Sequence, residues 1–125
     1  MAEALFKGVG QVGGISEDAP KLIAFYRDVL GFPVLFEANG MTFLEAGATR
    51  LMISAGEAAG EASKDVALYF EPHDWTLAEA RLEASGVAFP HEAIVVQRAE
   101  GREHLLRGFR DPEGRPIYLL GWRAL

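Results

Sequence analysis

Apolar residues recur at helical spacing over two stretches of the chain and at alternate positions over most of the rest. In "SEDAPKLIAFYRDVLGF", Leu22, Ile23, Phe25, Tyr26, Val29 and Leu30 return every three or four residues. Ser16 or Asp18 can cap the start, Pro20 suits the first turn and Gly31 ends the run, which predicts a helix. Before it, "GVGQVGGI" reads as a strand whose glycines allow close backbone approach. After it, "FPVLFEA", "MTFLEAG" and "RLMIS" read as short strands punctuated by Asn39-Gly40 and Gly47. The first half is therefore β-α-β-β-β.

The segment Ala55 to Asp65 is small, polar and acidic with two glycines, and reads as a loop. Beyond it the same order returns. "DVALYFEP" reads as a strand, "DWTLAEARLEASG" as a helix, and "VAFPHEAIVV", "HLLRGF" and "PIYLL" as three strands. Laying "YRDVLGFPVLFE" on "ARLEASGVAFPHE" superposes Gly31 on Gly86 and implies an internal repeat of about 55 residues. The expected fold class is α+β: one domain over 1–125 of two tandem βαβββ modules, module one at 5–54, a linker at 55–64 and module two at 65–123. One helix covers only one face of each sheet. Two such units would curl as a mixed sheet around a cup, a natural place for a small molecule. Strand alternation points Leu51, Ile53, Leu68, Phe70, Ile117 and Leu119 at the helices. It points Arg50, Met52, Tyr69, Glu71, Tyr118 and Leu120 into the cup.

Composition narrows the function. The 125 residues are enough to bury roughly two-thirds of the surface of the unfolded chain, without a disulfide or metal for support. A formal charge of −6 with thinly spread Lys and Arg argues against a nucleic-acid surface. The absence of cysteine removes thiolate nucleophiles and Cys-held metals. No apolar run approaches the roughly 20 residues of a membrane helix, and "MAEALFKG" lacks a signal-peptide core, so the expected location is the cytoplasm.

The stretches "FYRDVLGF" and "FRDPEGRPIYLL" resemble the vicinal oxygen chelate superfamily of glyoxalases, bleomycin-resistance proteins and extradiol dioxygenases, and the likeness runs over nearly the whole chain. The resemblance implies paired βαβββ modules and a homodimer. It also implies, for catalytic members, a divalent metal held by His, Gln or Glu from the first and last strands of the modules. Those positions carry Gln11, Ala67, Met52 and Tyr118 here, so Gln11 is the single matching ligand. A catalytic metal of the zinc or iron type takes about three protein ligands. No cofactor is therefore expected, with a divalent metal as the alternative.

Other residues offer chemistry less distinctly. His73, His91 and His104 form no helical metal pair; His91 and His104 lie on strands of the second module, and His104, alternating with Leu106, can point into the cup. Glu71 among apolar strand residues needs a wet cavity or a partner, for which Arg50 is suited. "DPEG" reads as a turn with Gly114 at positive φ. Arg98, Arg102, Arg107 and Arg110 alternate with Glu100, Glu103 and Asp111, which reads as a solvated hairpin in preference to an anion site. Two functions fit. In the first, the protein binds a small organic molecule, with Phe43, Tyr69 and Tyr118 as apolar surfaces, Met52 and His104 beside them, and Gln11, Arg50 and Glu71 orienting it. In the second it is a lyase, isomerase or dioxygenase with Glu71, Tyr118 or His104 as acid or base.

Overall fold

Two aspartates start the two helices and two glycines end them. In the computed structural model, which describes residues 9–38, 40–55 and 67–125, the Asp18 carboxylate accepts from the Lys21 amide and the Asp74 carboxylate from the Leu77 amide. Each satisfies an amide that the first helical turn leaves unpaired. Gly31 and Gly86 close the helical runs at φ 84° and 88°, a region open to glycine at little cost. The chain divides into two compact units, Met1–Ser63 and Lys64–Leu125. The expected linker beyond Ala55, and Asn39, lie outside the described residues.

The first unit comprises β1 Gln11–Ser16, α1 Ala19–Ala24, a π-helical turn Phe25–Val29, β2 Val34–Ala38, β3 Met41–Ala46 and β4 Thr49–Ala55. Its sheet runs β1-β4-β3-β2, with β1 parallel to β4 and the other pairs antiparallel. The second comprises β5 Leu68–Phe70, α2 Trp75–Ala84, β6 Ile94–Ala99, β7 Arg102–Arg110 and β8 Pro116–Ala124, in the order β5-β8-β7-β6 with β5 parallel to β8. The repeat read from the sequence is thus a repeat of topology. It extends to a break in register on each outer strand, between Val34 and Phe36 and between Val95 and Gln97.

Within each unit one sheet face is covered. Leu22 and Tyr26 are buried with Thr42, Leu44, Leu51 and Ile53, and α1 lies on β4. Trp75 and Leu82 are buried with Leu105, Phe109, Ile117 and Leu119, and α2 lies on β8. The start of α2 sits close because Gly121 has no side chain: a Cβ there would be 3.2 Å from Pro72 Cδ. Among the described residues no helix is long and apolar enough to cross a membrane.

The elements differ from expectation at several places, among them β5, which ends at Phe70 and leaves Glu71 and Pro72 outside the strand expected to carry them. The first helix is α-helical only to Ala24. Gly31 lies 13 residues after Asp18 and Gly86 only 12 after Asp74, and the first helix takes up its extra residue as the π turn. The strand expected from Val87 starts at Ile94. Pro90 has no amide to give a ladder, and Phe89 packs edge-on against Phe109 with centroids 5.6 Å apart. The last two strands run longer than "HLLRGF" and "PIYLL".

Candidate functional site

Each sheet has a second face that its helix does not cover. On the second sheet, register places Tyr69 beside Tyr118, Tyr118 beside Gly108, Leu120 beside Leu106 and Trp122 beside His104. The Tyr69 and Tyr118 rings stack 4.8 Å apart at 15°. Gly108 lets Tyr118 lie flat, since a Cβ there would be 2.9 Å from Tyr118 Cε1. At the other end of the face the His104 and Trp122 rings stack at 4.6 Å and 10°, and the Arg102 guanidinium lies 4.5 Å from the Trp122 centroid. Leu106 and Leu120, both half-buried, lie between the two stacks. Tyr69 remains 56% exposed.

On the first sheet the corresponding face carries Gln11 beside Arg50, Gly13 beside Met52, and Met52 beside Phe43. Phe36 and Phe43 stack at 4.4 Å and 20°, and Arg50 lies over both, 6.0 and 5.6 Å from their centroids. The guanidinium suggested as a partner for Glu71 is thus engaged with the rings of its own sheet. The tip of Met52 occupies the space over Gly13, 3.1 Å from where a Cβ would be.

Charge on the helix side of the second sheet is largely paired. Glu103 accepts from Arg123 at 2.7 Å and meets Arg98 at 3.5 Å, and Arg107 donates to Glu79 at 2.6 Å while lying 4.2 Å from the Phe89 centroid. Of the arginines read as a solvated hairpin, Arg107 is thereby tied to α2. The hydrogen bond from Arg123, with its charge and that of Arg98, holds the Glu103 carboxyl below the usual carboxylate range. A lowered carboxyl stabilises the fold above its unfolded pKa of about 4.3, and that contribution disappears as pH falls through the lowered value. The stability gap between the wild type and Glu103→Gln in urea denaturation is therefore expected to be larger at pH 6 than at pH 2–3. An equal gap at both would mean that the carboxylate charge contributes nothing.

The late turn is built around a buried ion pair. Asp111 accepts from the amides of Glu113 and Arg115 at 2.8 and 3.0 Å, and its carboxylate meets the Arg115 guanidinium at 3.3 Å. Gly114 adopts φ 87°. "DPEGR" is therefore architecture, as read.

The structure gathers Tyr69, Tyr118 and His104 on one face and Gln11, Phe43, Arg50 and Met52 on another. Ala67 and Glu71 flank β5, and Glu71 is exposed. His73 and His91 are exposed, and the His91 carbonyl accepts from Arg107 Nε at 3.0 Å. Among the described residues no three His, Cys, Asp or Glu side chains come together to hold a metal. The faces also carry Trp122, Gly108 and Phe36, which the sequence reading did not name, and Arg102, which it read as part of a solvated hairpin. The alternation of Tyr118 and Leu120 does continue to Trp122, but Gly121 interrupts the apolar run that marked the strand.

Comparison with known proteins gives the arrangement its context. The model of the Glyoxalase/Bleomycin resistance protein/Dioxygenase superfamily matches residues 8–118. An integron cassette protein from the mobile metagenome of V. cholerae superposes with TM-score 0.78 at 20% identity, over 96% of this chain and 98% of that one. A virulence protein of Salmonella typhimurium superposes at 0.77 and 19% identity, over 94% and 98%. A lactoylglutathione lyase of Agrobacterium tumefaciens gives 0.71 and 19%, over 94% and 96%. Such identities show a shared fold and no more, and no curated protein matches the chain. The family match spans both units, each with the βαβββ topology that the fold repeats, and the chain belongs to the glyoxalase/bleomycin resistance protein/dioxygenase superfamily.

Proposed function

We propose that the protein binds a small planar organic molecule on the open face of its second sheet, without the divalent metal that catalytic members of the superfamily hold. The observation that carries this reading is the paired Tyr69 and Tyr118 rings beside an apolar floor of Leu106 and Leu120. Offset or edge contacts to such rings contribute about 0.5–1.5 kcal/mol each beyond area burial. The absence of a metal is supported by donor chemistry. An amide at Gln11, a thioether at Met52, a methyl at Ala67 and a phenol at Tyr118 lack the charge and number of donors that a three-ligand site requires. We also propose a cytoplasmic homodimer. Val34, Leu35 and Phe36 on β2 and Ile94, Val95 and Val96 on β6 are exposed, and a second copy would cover such a surface.

A thermal-shift screen with planar aromatic compounds tests the binding reading. A compound present at about 100 times its dissociation constant should stabilise the fold by about 2.7 kcal/mol. Tyr118→Ala should weaken it about tenfold or more. Undiminished affinity in that variant would remove the face from consideration. About one tightly held divalent ion per chain, in protein purified without a chelating tag, would instead favour a lyase, isomerase or dioxygenase using Glu71, Tyr118 or His104.

A further inference from the structure

We infer that the ligand of the second sheet is an aromatic carboxylate whose anionic group is received by Arg102, an inference that rests on the binding reading above. Two neighbouring rows across β6, β7 and β8 carry it. In one, Arg98, Glu103 and Arg123 are register partners and form a ladder in which one carboxylate engages both guanidiniums on the helix side. In the next, Arg102 has Ala99 on one strand and Ala124 on the other. Two alanines leave its guanidinium neither a rival charge nor a steric neighbour in its own row.

Pairing elsewhere sharpens the contrast. Arg27, Arg98, Arg107, Arg115 and Arg123 each meet a carboxylate within 4.0 Å, whereas among the described residues Arg102 meets none, as is also true of Arg50, Arg81 and Arg110; on the second sheet's open face it is Arg102 that lies beside the aromatic platform. Its guanidinium lies on Trp122 instead, and His104 stacks on the same ring. A guanidinium resting on an aromatic face is partly desolvated and held in orientation. Its in-plane N–H groups stay available, and that fork matches a carboxylate in two parallel hydrogen bonds. The −6 net charge does not cancel this attraction, because distant surface charges are screened over about 8–10 Å in ordinary salt.

Spacing sets the size of the molecule. Tyr118 and Trp122 lie four residues apart on one strand, about 13 Å at roughly 3.3 Å per residue. Leu106 and Leu120 occupy the interval, and Gly108 keeps the Tyr118 ring low at one end. A bicyclic aryl acid laid on the leucines would meet the tyrosine stack with its rings and direct its carboxylate to the Arg102 end.

Isosteric probes test this: 2-naphthoate against the uncharged 2-naphthylmethanol, titrated into the full chain and followed by calorimetry and thermal shift. Naphthoate is expected to bind at least tenfold more tightly, with an advantage that shrinks as salt rises. Arg102→Gln should bring naphthoate down to the level of the alcohol, and Arg102→Lys, which keeps the charge without the fork, should recover only part. Equal affinities in the wild type, or undiminished naphthoate affinity in Arg102→Gln, overturn the anionic assignment. Alcohol binding that still depends on Tyr118 would leave the platform reading standing. Binding of neither probe overturns both.

Discussion

Asp111→Ala is expected to lower the unfolding free energy by about 3 kcal/mol, the low end of the range for stripping one partner from a buried ion pair. The Asp111 side chain is fully buried and that of Arg115 only 8% exposed. The low end applies because Arg115 keeps Glu113 at 3.0 Å. The alanine variant also leaves the amides of Glu113 and Arg115 without their acceptor. Asp111→Asn retains Oδ1 for those amides but puts an NH2 where Oδ2 accepts from Arg115, so it loses the ion pair and keeps the turn, and should cost less than alanine. Urea denaturation of both variants separates the contributions. A loss below about 1 kcal/mol for alanine would mean that Glu113 alone satisfies Arg115 and that the turn does not depend on its aspartate.

Ile117→Ala should be comparably damaging, at about 2–5 kcal/mol, with Ile117→Val at about 0.5–1.5 kcal/mol. Ile117 is 0% exposed, in register with Leu68 on β5 and Phe109 on β7, so the strands on both sides hold the backbone that a cavity would need to collapse. Leu77→Ala on the exposed side of α2 provides the contrast, at within about 0.5 kcal/mol. Denaturation midpoints that fail to order these three would place the centre of the second unit elsewhere than β8.

Much of this fold was legible because its signals are local. An aspartate cap, a helix-ending glycine and the Asp111 to Arg115 turn each act within a few residues, and each occurs where the chain announces it. Alternation also sorted the faces correctly for Leu51, Ile53, Ile117 and Leu119. What was not legible depends on partners distant in sequence. "VAFPHEAIVV" has the composition of a strand, yet Phe89 is drawn to Phe109 and the chain joins the ladder only past Pro90. The Arg102 and Trp122 pairing needs the β7 and β8 register, which no local pattern supplies. Nor could the sequence foresee that Arg50 would spend its charge on Phe36 and Phe43.

The π turn at Phe25–Val29 bears on how the two halves can drift apart. A codon gained inside a strand turns every later side chain to the wrong side of the sheet unless a bulge absorbs it, as at the register breaks on β2 and β6. The same codon gained in the helix is absorbed as one widened turn, while Gly31 still closes the run and β2 still begins in phase. The helices, like the segment between Gly86 and β6, are therefore places where a duplicated gene of this design can change length without losing its sheets.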